Sequence, residues 1–230
     1  TQHLLEVVDV LAEIEEKTGK TIHLDIEPEP DGLLSNHGDF VAWYEQELLP
    51  SGNPELILKH IQLCFDICHY GVSFDAPEAS IQELKAKNIP VGKIQISSAL
   101  RIDLREQEVE KIAELQKYQE PVYLHQVKAL CKDGSNQEFK DLDEAFAAYT
   151  INTYEEWRVH FHVPLFLETY GLLGSTQKEI RETLAIQKVS PFTNHLEIET
   201  YTWGVLPPAF QVPMAESISR EIKTITDLLG

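Results

Sequence analysis

The feature that most constrains the fold of this chain is a repeated alternation of helix-like and strand-like segments. It opens with "LLEVVDVLAEIEEKTGK", whose apolar residues recur at helical spacing until Gly19 ends the pattern. Five strand-like segments follow, each leading toward a helix-like one: "TIHLDIEPEP", "IQLCFDICHYG", "VGKIQISSAL", "WRVHFHVPLF" and "HLEIETYTW". Strands that alternate with helices are typical of α/β proteins with a parallel sheet.

One segment breaks this alternation. "PVYLHQVKALCKDGSNQEFKDL" predicts a hairpin that turns at Asp133-Gly134, and we treat residues 121–140 as a hairpin insertion. The length of 230 residues suits one large domain, so we expect a single domain over residues 1–230. No glycine-rich phosphate-binding motif is present, so nothing indicates a dinucleotide or P-loop site.

Composition narrows the partners and the compartment. The chain has 38 acidic residues against 19 Lys and Arg, a net charge of −19, which repels nucleic acid and anionic lipid. No apolar run reaches membrane-spanning length and no secretory leader opens the sequence, so we expect no membrane insertion. The three cysteines lack zinc-site spacing, which predicts reduced thiols and a cytoplasmic protein.

The predicted strands carry polar side chains on one face, which favours a barrel over a doubly wound sheet. A doubly wound sheet buries both faces of its central strands and makes them apolar. Here the polar residues are His23, Asp25 and Glu27; Asp66; Lys93, Gln95 and Ser97; His160 and His162; and Glu197 and Glu199. Such a shared polar centre is typical of the carboxyl-end mouth of a (β/α)8 barrel, which needs about 250 residues. Because the sequence starts in mid-pattern, we expect only barrel strands four to eight.

The fourth of these segments, "RVHFHVP" at residues 158–164, alternates strictly. We expect one face to be buried and the other to place His160 and His162 at the polar centre. The apolar face consists of Val159, Phe161 and Val163.

Acids and imidazoles that converge from neighbouring strands repel one another unless a cation is present. We therefore predict a divalent ion, Mn²⁺, Mg²⁺, Co²⁺, Fe²⁺ or Zn²⁺, without a sulfur ligand. The predicted ligands are Glu27, Asp66, His69, Gln95, His160, His162 and Glu199. Each also has a simpler interpretation, because a lone carboxylate can cap a helix and paired histidines can hydrogen-bond within a polar core.

Several strings support a more specific expectation. "CFDICHYGVSFD", "KIQISSALR", "YLHQ", "EWRVHFHVP" and "HLEIETYTWGVLP" resemble the EboE family of metabolite traffic proteins, over about residues 20–207. That family belongs to the xylose isomerase-like TIM-barrel superfamily, with sugar-phosphate isomerases and epimerases and endonuclease IV. The resemblance implies a (β/α)8 TIM barrel and a role with secondary-metabolite precursors. It also implies a small-molecule metabolite and other transport-cluster proteins as partners. The open sheet edge that missing barrel strands would leave predicts pairing with a second copy of the chain.

The resemblance allows the superfamily's metal pattern to be carried over by position, with two departures. Its fourth-strand glutamate corresponds to Glu27, its fifth-strand Asp-x-x-His to Asp66 and His69, and its eighth-strand glutamate to Glu199. The seventh-strand Asp-x-His of the endonuclease branch resembles His160-Phe161-His162, with the aspartate replaced.

At the sixth strand this sequence departs from the epimerases, because Gln95 stands where they have a histidine ligand. His125 in the hairpin could supply the missing imidazole. The resemblance and the spacing give Glu27 and Glu199 the role of proton shuttles, while Lys93 and His125 would neutralise an oxyanion. Three further residues are expected to contact the ligands and not the ion: Asp25, Glu197 and Ser97.

Three functions remain open at this point. The first is a metal-dependent sugar or sugar-phosphate isomerase or epimerase, with metal-assisted hydrolysis as a near variant. The second is a non-catalytic metabolite carrier of a transport assembly, which the Gln95 substitution favours. The third is an endonuclease IV-like phosphodiesterase, which the charge of −19 disfavours.

Overall fold

The structure, a computed structural model, describes residues 1–230 and is a mixed α/β fold. Ten strands occur in chain order: β1 Leu24–Ile26, β2 Ile61–Asp66, β3 Val91–Ile96, β4 Leu100–Asp103, β5 Val127–Cys131, β6 Asn136–Phe139, β7 Tyr154–Val159, β8 Thr169–Tyr170, β9 Leu173–Ser175 and β10 Leu196–Ile198. Nine α-helices accompany them: α1 Gln2–Thr18, α2 His37–Trp43, α3 Pro54–His60, α4 Ile67–Val72, α5 Pro77–Ala86, α6 Glu108–Leu115, α7 Leu142–Ala148, α8 Gln177–Val189 and α9 Met214–Leu229.

A four-stranded parallel sheet has the order β1-β2-β3-β10. This confirms the parallel α/β expectation for four of the five predicted strands. Asp66 on β2 pairs with Gln95 on β3, which pairs with Glu197 on β10. The strands therefore end at a common edge, and the side chains that follow them meet there.

The two faces of this sheet differ because side chains alternate along each strand. On β2 the apolar residues Ile61, Leu63 and Phe65 are fully buried in a core that includes residues of α2, α5 and α8. The intervening Cys64 and Asp66 therefore project to the opposite, polar face.

The predicted first helix is also confirmed, as α1. The helix is capped by Gly19, which adopts a φ of 69° without steric strain because glycine has no Cβ.

A second sheet of six antiparallel strands has the order β6-β5-β7-β4-β9-β8. The predicted hairpin is present as β5 and β6, with Gly134 in the turn at a φ of 84°. Its first strand, β5, also pairs with β7, so the hairpin is one edge of this sheet and not a free insertion. A separate apolar core lies around Trp157 of β7.

The prediction of a parallel strand over residues 158–163 is wrong. The strand β7 spans Tyr154–Val159 and pairs antiparallel with β4 and β5, while β10 pairs directly with β3. After Val159 the chain leaves the ladder, because the amide of Phe161 donates to the Val159 carbonyl at 2.8 Å in a three-residue turn. Alternation in a sequence fixes which residues share a face, but it does not choose the partner strand.

None of the helices has both the length and the apolar character needed to cross a membrane.

Candidate metal centre

Three carboxylates meet where the parallel strands end. Glu27 directly follows β1, Asp66 ends β2 and Glu199 directly follows β10. Gln95 of β3 lies between them, and its Nε2 donates to Glu27 Oε1 at 2.8 Å, to Asp66 Oδ2 at 3.0 Å and to a Glu199 oxygen. The structure thus brings these four predicted ligands together around one amide nitrogen.

Asp66 is the most firmly held of the acids. Its Oδ1 accepts hydrogen bonds from the backbone amide of His69 at 3.0 Å and from the Ser97 hydroxyl at 2.7 Å. Burial alone would raise the pKa of Asp66, but the nearby charges of His69 and His162 and these hydrogen bonds hold it well below its usual range. Asp66 therefore stays ionised, and the Ser97 hydroxyl donates a hydrogen bond to it.

The two glutamates behave in the opposite way. Burial, followed by the charge of Asp66, raises the pKa of Glu27 and raises that of Glu199 to about 7. The acidic group as a whole therefore retains proton affinity near neutral pH.

Three histidine rings converge beside Asp66. His69 lies in α4, whereas His160 and His162 lie just past the end of β7. The Nε2 atom of His160 is 3.1 Å from Nε2 of His69 and 3.2 Å from Nε2 of His162. All three rings are buried.

Backbone carbonyls fix the orientation of two of these rings. His69 Nδ1 lies 2.9 Å from the Pro28 carbonyl oxygen, and His162 Nδ1 lies 3.2 Å from that of Glu199. A carbonyl oxygen only accepts, so each Nδ1 carries the hydrogen and donates it. A neutral ring then directs the Nε2 lone pair toward the centre, as in metal-ligating histidines.

The third ring is fixed by a side chain, since Nδ1 of His160 lies 2.9 Å from Gln126 Oε1. Burial and the charge of His69 hold the pKa of His160 well below its usual range, and burial lowers that of His162. Burial also acts to lower the pKa of His69, but the charges of Asp66 and Glu27 outweigh it and the pKa is raised. Two rings that resist protonation and one that favours it therefore face one another through their Nε2 atoms.

The donor atoms fit a metal ion. Ring nitrogens bound to one tetrahedral zinc at about 2.0–2.1 Å stand roughly 3.3 Å apart, which is close to the 3.1 and 3.2 Å that separate Nε2 of His160 from Nε2 of His69 and of His162. The sets whose donor atoms lie within 4.8 Å of one another are Glu27, Asp66 and Glu199; Asp66, His69 and His162; Cys68, His160 and His162; and Glu29, His69 and His160. Gln95 already places an amide nitrogen among the carboxylates, so the set with Asp66, His69 and His162 suits a cation best.

Three predicted residues lie away from this cluster. Lys93 Nζ forms an ion pair with Glu197 Oε2 at 2.6 Å, and His23 Nδ1 forms a hydrogen bond with Asp25 Oδ1 at 2.6 Å. Both pairs lie one pleat nearer the amino ends of the strands and line a separate cavity of about 680 Å³. Lys93 therefore contacts no ligand candidate through a hydrogen bond, and neither Asp25 nor Glu197 supports one.

His125 is also not brought to the cluster. Its ring is buried and stacks on Phe161 at 5.2 Å between centroids, with nitrogens 3.5 Å from Glu120 and 3.4 Å from Asp141. The prediction that it replaces the missing sixth-strand imidazole is therefore not supported by its position.

Sequence reasoning missed three contributors. Cys68, one of three free and buried cysteines, brings its thiol to His160 and His162, and Glu29 reaches His69 and His160. Gln126 orients His160. The adjacency of Cys68 to His69 in "DICH" and the second acid in "EPE" were the available signals.

Comparison with models of protein families, with functionally curated proteins and with solved structures finds no match to this chain. Its function is therefore inferred from the geometry of this centre.

Proposed function

We propose that this chain is a metal-dependent isomerase or epimerase that acts on a small polyhydroxylated metabolite. The proposal includes a xylose isomerase-like (β/α)8 barrel of the EboE metabolite traffic type, to which the four parallel strands would contribute. One observation carries it: His69 and His162 donate Nδ1–H to backbone carbonyls and so turn Nε2 toward Nε2 of His160, and each ring also has a nitrogen within 4.8 Å of an oxygen of the ionised Asp66.

The donor types indicate which ions would bind. Two or three imidazole nitrogens with a carboxylate suit Zn²⁺, Co²⁺, Fe²⁺ or Mn²⁺ better than Mg²⁺, which prefers oxygen. Such an ion, when bound, polarises a carbonyl or hydroxyl group of the metabolite.

The carboxylates supply the acid–base part. Glu27 and Glu199 stand on opposite sides of Gln95, at the ends of β1 and β10. An epimerase must remove a proton from one face of a carbon and return one to the other face. Oxygen atoms of Glu27 and Glu199 lie within 4.8 Å of each other, too close for a carbon atom to stand between them, so this pair suits an isomerase, which moves a proton between adjacent atoms of the metabolite.

A second candidate is a non-catalytic carrier that binds a precursor for a transport assembly. Gln95 favours it, because its amide already donates to all three carboxylates. An amide is neither an acid nor a base, and carboxylates engaged in this way are less free to move protons.

Metal binding is the first test. Purified protein titrated with Zn²⁺, Co²⁺ or Mn²⁺ in a calorimeter is expected to bind the ion at a defined stoichiometry. His69→Ala and His162→Ala should weaken binding by about 10- to 100-fold or more. His195→Ala, a histidine beside β10 on the far cavity, is the matched control and should leave the affinity unchanged. Equal losses in all three variants would contradict the assignment.

Hydrogen exchange separates the enzyme from the carrier. The metal-loaded protein is incubated in D₂O with a panel of sugars and sugar phosphates, and deuterium uptake at carbon is followed by NMR. An isomerase or epimerase exchanges a C–H of its substrate, and Glu27→Gln should stop this while metal binding persists. Metabolite binding without exchange would instead support the carrier.

A further inference from the structure

Two tyrosines beside the histidines belong to no predicted site. The ring of Tyr201 lies 4.6 Å from that of His162 between centroids, at an interplanar angle of 33°. The ring of Tyr123 lies 5.1 Å from Tyr201 at 55°. Tyr201 is 40% exposed and Tyr123 37% exposed, so each keeps an open side.

Tyr201 also lies close to the acids, since it follows Glu199 by two residues. Burial, together with the negative charges of Glu199 and Asp66, raises the pKa of its phenol. The Tyr201 hydroxyl therefore keeps its proton, and the ring lies close to the proposed metal centre.

The segment that carries Tyr123 presents further apolar surface. Val122 and Leu124 are both exposed, and the Glu120 carboxylate accepts hydrogen bonds from the amides of Val122 at 2.6 Å and Tyr123 at 3.0 Å. Single exposed apolar residues are common, but adjacent ones next to a polar centre indicate a binding surface.

Few polar groups around this surface are free to bind hydroxyl groups. Glu120 is engaged by the two amides just described, and Asp141 accepts from the amides of His125 at 3.1 Å and Leu142 at 2.8 Å. The phenol hydroxyls of Tyr123 and Tyr201 are then the groups left to bind hydroxyl groups of a ligand, whereas a flat apolar ring would find two aromatic faces.

We propose that Tyr123 and Tyr201 form a stacking platform for a planar aromatic ring of the metabolite, whose oxygen atoms reach the donor set of Asp66, His69 and His162. This inference rests on the proposed metal centre and narrows its substrate class. The metabolite is then a polyhydroxylated molecule that also bears an aromatic ring, next to the oxygens that contact the ion. An open-chain polyol would use only the metal end of the site.

Matched hydroxamates test the platform, because they share one chelating head group. Acetohydroxamate, cyclohexanecarbohydroxamate and benzohydroxamate are titrated calorimetrically into the Zn²⁺- or Co²⁺-loaded protein. Benzohydroxamate is expected to bind roughly tenfold tighter than acetohydroxamate, with the cyclohexyl probe between them. Tyr201→Ala and Tyr123→Ala should remove most of this preference, and Tyr201→Phe should retain it, because stacking needs the ring and not the hydroxyl.

Controls keep the outcomes distinct. Metal stoichiometry and acetohydroxamate affinity should stay within twofold of the parent protein in the alanine variants, and Val109→Ala, an exposed apolar change on α6, should alter nothing. Bound metal with equal affinity for all three probes would overturn the platform alone, as would equal loss of every probe in Tyr201→Ala. A parent protein that binds no ion would overturn the proposed function and the platform together.

Discussion

At the scale of single residues, Gln95 sets the charge balance of the centre. Its amide nitrogen has two hydrogens but three carboxylate neighbours, Glu27, Asp66 and Glu199. Burial and the charge of Asp66 already raise the pKa of Glu199 to about 7. A negative charge in place of the amide would therefore be strongly unfavourable without an ion.

We expect Gln95→Glu to lower the melting temperature in EDTA at pH 8 by about 5–10 °C, since an unpaired buried charge costs several kcal/mol. The loss should shrink at pH 5, where the carboxylates take up protons. Thermal unfolding at both pH values measures it. Gln62→Glu, on the half-exposed position of β2, is the matched control and should change little. Equal losses in both variants would count against the charge explanation.

Glu221 of α9 provides a pH-dependent prediction away from the centre. Its Oε1 accepts from the Leu165 amide and the Thr200 hydroxyl, while its buried Oε2 has no partner. Burial raises its pKa, so the neutral form stabilises the fold. This contribution is fully present below the ordinary pKa of 4.5 and is lost as pH rises through the folded value.

Glu221→Gln should therefore melt at a higher temperature than the parent protein at pH 8, by about 2–4 °C for roughly 1 kcal/mol. The two proteins should melt together at pH 4. Calorimetric scans across this range test the sign, and a variant that is less stable at pH 8 would show that the Oε2 charge is not the dominant cost.

At the scale of secondary-structure elements, the antiparallel sheet positions two of the three histidines. The strand β7 lies between β5 and β4, and His160 follows it directly. The β5–β6 hairpin turns at Gly134, whose φ of 84° disfavours any residue with a Cβ.

Gly134→Ala is expected to cost about 1 kcal/mol, or about 2–4 °C in melting temperature, through the strained turn. Gly204→Ala is the control, because a Cβ there also has open space but its φ is not positive. Metal affinity should be unchanged in both. A similar cost at Gly204 would assign the loss to loop entropy instead.

Much of the centre could be predicted from the sequence, because strand alternation places alternate residues on one face. Glu27, Asp66 and Glu199 meet for this reason. The alternation does not encode how far along its strand a residue lies. Lys93 therefore shares a face with Gln95 but lies two residues nearer the amino end of β3, where it pairs with Glu197. The direction of β7 was missed because its partners, β4 and β5, are chosen by long-range pairing and not by local pattern.

At the scale of the whole molecule, the candidate ligands join two sheets. Asp66 and His69 belong to the parallel sheet and the helix that follows it, whereas His160 and His162 extend from the antiparallel sheet. An ion bound by both sets would restrain the two halves together and stabilise the folded state.

Zn²⁺ at about 100 times its dissociation constant should therefore raise the melting temperature by about 5–10 °C, from a linkage energy of about 2.7 kcal/mol. Mg²⁺ at the same concentration should have little effect. His162→Ala, with binding expected to be about 10- to 100-fold weaker, should reduce the rise to about half or less, as differential scanning calorimetry would show. A similar rise in that variant would place the ion elsewhere.

Asp66 ends β2, caps α4 through the His69 amide and faces the histidines. Asp66 therefore has a role in folding that does not depend on chemistry, and invariance of Asp66 among related sequences would not by itself reveal an activity. Tyr123 and Tyr201, whose exposed faces the fold does not require, are the more informative positions to compare. Their retention or loss across descendants of a common ancestor would trace the ligand and not the architecture.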